Sequence, residues 1–178
     1  YLICEMMGRN SNIILAKEDY TIIDSVKHVD FTVSSVRQIL PGLKYEFPPA
    51  QDKIPVLSQE LSSVKIDMSH EGVRPDNAIM AAVSGISPLL AREAVFRAIG
   101  EINKDCTQLD EGQNNNILSE LKKIINFDMQ PCIIIEKETG RTVDFSPIDI
   151  LQYGESAEKK IYPDLNSLLD DFYKTRDN

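Results

Sequence analysis

The chain has 178 residues, 42% of them hydrophobic, and a net charge of −9; that is enough for one medium domain or two small ones with a buried core. No apolar run approaches the roughly 18 residues that span a bilayer, and the acidic balance counts against a phosphate backbone held by bulk positive charge. Three cysteines far apart (Cys4, Cys106, Cys132), with no C-x-x-C, and only two histidines, His28 and His70, argue against a disulfide framework and a zinc site and favour a reducing compartment.

The chain opens in mid-strand without an initiator methionine, so it reads as a piece of a longer protein. Tyr1 to Met7 forms an apolar strand, Gly8 to Asn12 a polar turn, and Ile13 to Ala16 a second strand. A hairpin needs only one Gly or Asn for the positive φ of its turn. Here the bend also carries Arg9, Asn10, Ser11 and Asn12. On these residues alone two readings stand: generous turn chemistry, or a polar ligand-binding loop held by two strands. Thr21 to Val29 reads as a third strand. Leu40-Pro41-Gly42 is a tight turn, and Pro48-Pro49 stiffens an extended connector.

Residues 56–127 read as helical. Leu57, Leu61, Val64 and Ile66 space as one helix with Ser58 as cap, and Asp76 to Val83 as another. Gly85 ends that helix left-handed; Ser87 caps the next, Pro88 takes its first position and Gly100 stops it. A helix-hairpin-helix is the expected result. Asn114 to Phe127 is a further amphipathic helix, with Ile117, Leu118, Leu121, Ile124 and Ile125 inward. Cys132 to Glu136 and Thr142 to Phe145 flank a turn at Glu138-Thr139-Gly140. Residues 162–175 close the chain with a helix capped near Asn166. The expected division is 1–54 (β-rich), 55–130 (helical) and 131–178 (hairpin and closing helix), an α+β protein.

No catalytic set is visible. Gly85-Ile86-Ser87-Pro88 is not a nucleophile elbow, there is no Walker loop and no G-x-G-x-x-G, and Cys4 reads as an inert core thiol in an apolar strand. The expectation is a binding protein, with no enzyme activity, cofactor or metal. Residues 1–54 hold six Lys/Arg against seven Asp/Glu, nearer neutrality than the later segments; any contact with a phosphate backbone is expected there. Lys27, Arg37 and Lys53 are candidate RNA or phosphate contacts, with solvated surface charge as the plain alternative. Gly85 and Ser87 are further candidates through backbone amides and a helix N-terminus, against a simple helix joint. Arg92 and Arg97 read as surface charges.

Three segments together go beyond generic pattern: Glu5-Met6-Met7-Gly8-Arg9-Asn10-Ser11-Asn12-Ile13-Ile14-Leu15, then Leu40-Pro41-Gly42-Leu43-Lys44-Tyr45-Glu46-Phe47-Pro48-Pro49-Ala50-Gln51-Asp52-Lys53, then Gly85-Ile86-Ser87-Pro88-Leu89-Leu90-Ala91-Arg92-Glu93. In this order they resemble the NFACT family, also called fibronectin-binding protein A-like, in its bacterial ribosome quality-control (RqcH-type) branch. The resemblance implies a β-rich NFACT-N portion similar to the first domain of formamidopyrimidine-type DNA glycosylases, without their catalysis. A helix-hairpin-helix domain is then expected to follow, with a hairpin and closing helix completing NFACT-N ahead of a coiled coil. It further implies a cytoplasmic protein that binds the large ribosomal subunit holding a stalled peptidyl-tRNA, recruits alanyl-tRNA and supports template-free alanine tailing of the nascent chain.

By that resemblance Glu5 and Met6 occupy the family's acidic-apolar pair before Met-Gly, similar to a tRNA anticodon-loop contact, and Glu5, Met6, Arg9, Asn10, Ser11 and Asn12 form the implied tRNA site. Glu5 is expected to accept from base amino groups, Met6 to pack on a base and Arg9 to pair with phosphate. Two positions depart from the pattern: Asn10 stands where histidine is common, and Met6 where isoleucine is common. The family's Asp-Arg motif is expected upstream of Tyr1. The family's older name also implies fibronectin as a partner, through a surface adhesin. DNA repair, suggested by the glycosylase-like architecture, needs a catalytic N-terminal group and a zinc finger, and neither is visible.

Overall fold

The computed structural model describes residues 1–64, 66–126 and 128–176, apart from the side chains of Ser62, Ser63, Thr175 and Arg176. It contains two compact units, Tyr1–Gln51 and Asp52–Asn178, with both sheets and helices, an α+β protein.

In the first unit β1 (Leu2–Glu5), β2 (Asn12–Ala16) and β3 (Ile22–Ser25) form an antiparallel sheet in that order. Glu5 and Asn12 are the last paired residues of the first ladder. Along β2 the side chains of Asn12, Ile14 and Ala16 point inward and those of Ile13 and Leu15 outward, the period-2 alternation of a half-buried strand. Ile14, Ile22, Ile39 and Tyr45 form the core, with Ile3 and Val29 against it. β3 is shorter than the expected Thr21 to Val29. Val26 still donates to Ile13 O, but the Lys27 backbone is taken by the Asn12 side chain, so the ladder ends there. The Leu40-Pro41-Gly42 turn forms as expected, with Leu43 N donating to Leu40 O and Gly42 at φ +88°. Cys4 is exposed, not a core thiol, because it shares the outward phase of β1 with Leu2.

In the second unit Ser58 does cap, accepting from Glu60 N, but the helix it starts is a 3-10 segment, Gln59–Ser63. The longer helix fails because Leu57 is exposed; the apolar spacing is not one face. α1 runs Pro75–Ala82. Val83–Ser84 (β5) leaves it to pair in parallel with Ile54–Pro55 (β4), so Gly85 turns the chain after a strand rather than ending a helix. α2 (Pro88–Ile99) has the expected cap, Ser87 Oγ accepting from Leu90 N at 3.2 Å, and the expected stop at left-handed Gly100. α3 is Glu111–Ile125, started three residues early by an Asp110/Gln113 capping box; Phe127, the expected end, lies outside the described residues. β6 (Cys132–Glu136) and β7 (Thr142–Ser146) make the expected hairpin, and β8 (Ala157–Ile161) joins the other edge of β6. α4 (Leu165–Arg176) is started by Asp164, which accepts from Ser167 N, not by Asn166; it lays Leu168 and Phe172 on Ile133.

Residues 55–130 and 131–178 share one core: Ile134, Ile148 and Ile150 belong with Leu89, Val95, Ile117 and Leu121. A fully buried carboxylate ties them. Glu93 on α2 accepts from Arg97 Nε at 2.7 Å and from the backbone N–H of Leu151 and Gln152, while Arg97 Nη2 donates to Asp149 O. Arg97 is therefore an internal partner, not the free surface charge its helical position suggests.

Candidate functional site

The bend between β1 and β2 is built by short-range hydrogen bonds. Gly8 takes φ +57°, outside the range most side chains tolerate, and opens a 3-10 turn over Gly8–Asn10. Asn10 N donates to Met7 O, Ser11 N to Gly8 O, and Met7 N back to Ser11 Oγ at 2.9 Å. Ser11 is thus an acceptor for its own loop.

Asn12 is only 6% exposed. Its Nδ2 donates to Lys27 O at 2.8 Å, and its Oδ1 accepts from Lys27 N and Ile13 N. One side-chain amide thereby fastens the segment after β3 beside the bend. Lys27 returns the contact, its Nζ donating to Arg9 O at 3.0 Å.

Glu5 is 7% exposed. Arg37 grips it in a fork, Nη1 to Oε1 at 2.6 Å and Nη2 to Oε2 at 2.7 Å, and Tyr45 OH donates to Oε1 at 2.9 Å. Arg37 Nη1 also donates to Glu46 O, and the guanidinium lies over the Tyr45 ring. The Arg37 hydrogen bonds hold the Glu5 carboxyl below the usual carboxylate range, against the opposing pull of burial. The same pairing raises Arg37, and burial foremost raises the Tyr45 phenol.

The six bend candidates therefore divide. Met6, at 92% exposure, and Arg9 and Asn10 face solvent. Glu5 and Asn12 do not face outward as expected: the β1/β2 register sets both on the core side, where each is taken up by internal partners. Ser11 is half-buried in the loop. Of the wider candidates, Lys27 is exposed beside the bend, whereas Arg37 is committed to Glu5. Lys53, Gly85 and Ser87 lie in the second unit, where Ser87 Oγ caps α2 and Gly85 packs toward Val56. Sequence reasoning missed Tyr45 and the Arg37 pairing, because those partners stand 40 and 32 residues from Glu5. Among the described residues no group of three or more His, Cys, Asp and Glu could hold a metal ion. No described helix is long and apolar enough to cross a membrane.

The bend of this antiparallel hairpin presents an apolar side chain, a guanidinium and an amide to solvent from three residues, Met6, Arg9 and Asn10. The family model for the NFACT N-terminal and middle domains matches residues 1–178, and the chain belongs to that family. It is 45% identical over 104 residues to the Rqc2 homolog RqcH of Bacillus subtilis (strain 168), a match covering 58% of this chain and 18% of that protein. It is 28% identical over 180 residues to the Rqc2 homolog RqcH of Streptococcus pneumoniae serotype 2, covering 98% of this chain and 27% of that one. The chain thus spans about a quarter or less of the length of these relatives. A crystal structure of the fibrinogen binding protein from Staphylococcus aureus superposes with a TM-score of 0.65 at 26% identity, covering 97% of this chain and 58% of that one.

Proposed function

We propose that this chain is the RNA-binding part of a cytoplasmic ribosome quality-control factor. It contributes contacts to tRNA and to the large ribosomal subunit with its stalled peptidyl-tRNA, in support of template-free alanine tailing. It catalyses nothing itself. The observation that carries this reading is the exposed trio Met6, Arg9 and Asn10 on a braced bend in an NFACT chain whose relatives are named Rqc2 homologs. An unstacked base is recognised by an apolar face and polar edges together. Met6 supplies the face, Asn10 an amide edge, and Arg9 with Lys27 the two cations for phosphate. This explains how an acidic chain takes an RNA partner: the contact is local and owes little to net charge. The helix-hairpin-helix reading of Pro75–Ile99 and the completion of NFACT-N by residues 131–178 belong to the same proposal.

The test is alanyl-tRNA binding by the full-length parent carrying Met6→Ala/Arg9→Ala/Asn10→Ala. Weaker binding is expected, since the apolar face, the amide edge and one of the two cations are removed together. Unchanged affinity removes the bend from the site.

A second reading, a fibronectin- or fibrinogen-binding adhesin, is favoured by the name of the Staphylococcus aureus neighbour. Cell fractionation of the full-length protein separates the two. Recovery only with ribosomes supports the first, and recovery only at the cell surface supports the second.

A further inference from the structure

Taking the bend as the RNA contact proposed above, we infer that Arg37 is a positioning residue: it touches no RNA, and through its fork on Glu5 it fixes the direction in which β1 delivers Met6, Arg9 and Asn10. Glu5 is the final residue of β1 and the last paired across to β2. The next residue, Met6, leaves the sheet. A carboxylate held at that point by two parallel N–H···O bonds of 2.6 and 2.7 Å and a third from Tyr45 has one orientation available. Through Glu46 O, Arg37 also ties in the chain that follows Tyr45.

A direct phosphate contact is the competing role for this cation. It is disfavoured by burial, since the Arg37 side chain is 11% exposed and that of Glu5 4%. A phosphate reaching Arg37 would have to strip a buried carboxylate of its partner and leave it unpaired, a severe penalty in a desolvated site. Arg9 and Lys27 meet no such obstacle, because both stand in solvent.

The two roles separate in salt dependence. A phosphate contact releases counterions, so its removal flattens the plot of log K against log salt by about 0.7 for single-stranded RNA. A positioning residue changes affinity and leaves the slope alone. The experiment measures tRNA affinity, slope and binding stoichiometry for the full-length parent and its variants, with Arg9→Ala as the reference for a phosphate contact. Arg37→Gln is expected to weaken binding about tenfold, the size of a typical coupling between contacting residues, along a line parallel to wild type. Tyr45→Phe, which keeps the ring and removes one hydrogen bond, gives a smaller loss with the same slope.

A slope flattened by Arg37→Gln as it is by Arg9→Ala makes Arg37 a phosphate contact and overturns the inference. So does affinity that does not change, or a loss confined to stoichiometry, which reduces Arg37 to a stability residue. Failure of the bend itself looks different: Met6→Ala/Arg9→Ala/Asn10→Ala then leaves tRNA binding intact whatever Arg37 does.

Discussion

The Asn12 side chain satisfies both backbone groups of Lys27, donating to its carbonyl at 2.8 Å and accepting from its N–H at 2.9 Å. It mimics one more rung of sheet where the backbone has none, and it places the Lys27 ammonium on Arg9 O. Asn12→Ala leaves Lys27 N and Ile13 N short of an acceptor beside a buried position, while Lys27 O keeps the Ser25 hydroxyl, at a cost of about 1–3 kcal/mol. Asn12→Asp keeps the acceptors, loses the donor to Lys27 O and introduces a buried charge. Hydrogen exchange checks this residue by residue: the Lys27 amide is expected to lose protection in Asn12→Ala, while the Ile14 and Ile22 amides keep theirs.

Glu5 gives the first unit an acid-sensitive contact. Its folded-state pKa lies below the ordinary value because Arg37 hydrogen-bonds the charged form. A carboxylate shifted downward contributes stability that is complete above its unfolded value, about 4.3, and is lost as pH falls through the lower folded value. At neutral pH, Glu5→Gln keeps one acceptor oxygen and removes the charge from the pair, and a loss of about 1–3 kcal/mol is expected. The gap between variant and wild type then narrows below about pH 4. Urea unfolding at several pH values measures it. A constant gap from pH 7 to pH 3 would show that the carboxylate charge contributes nothing.

What the sequence disclosed and what it hid divide by range. Ser87-Pro88 and Gly100 bound α2 because caps act within one turn, and the Leu40-Pro41-Gly42 turn is equally local. The polarity of the bend is legible in its residues, and the orientation of Asn12 lies in the alternation of β2. Ile14 and Ala16 face inward, so the same alternation already sends Asn12 inward. The partners of Glu5 were hidden, since nothing near Glu5 points to Arg37 or Tyr45. β8 was hidden for a different reason. Ala157-Glu158-Lys159-Lys160-Ile161 is a charged, exposed edge strand, and charge on an edge guards against stray pairing while erasing the alternation that reveals a strand.

Glu93 joins α2 to the segment after β7. Its oxygens take the N–H groups of Leu151 and Gln152 and the Arg97 Nε, with no exposure to water. Glu93→Ala leaves a guanidinium without its carboxylate and two amides without acceptors, and about 3–5 kcal/mol of stability is expected to go. Glu93→Gln keeps one acceptor oxygen and removes the charge, so a smaller loss of about 1–3 kcal/mol is expected. Denaturant titration of the chain orders wild type, Gln and Ala. Equal stability of Ala and wild type would mean water replaces the carboxylate without penalty.

Gly85 and Gly100 separate backbone strain from crowding. Both hold left-handed φ, +83° and +80°, but a Cβ on Gly85 would meet Val56 Cγ1 at 3.3 Å, whereas one on Gly100 meets open space. Gly100→Ala therefore carries only the conformational penalty, about 1–2 kcal/mol. Gly85→Ala adds the displacement of Val56, which follows β4 and donates its N–H to Ser84 O. A shift of Val56 strains the β4–β5 pair that sets the joint between α1 and α2. The expected order of stability is wild type, Gly100→Ala, then Gly85→Ala, read from melting temperatures of the chain. Pairing Gly85→Ala with Val56→Ala removes the obstructing methyl, so the double variant should lose less than the two single losses added together. Strict additivity would show that Val56 gives way freely and that only φ requires glycine at position 85.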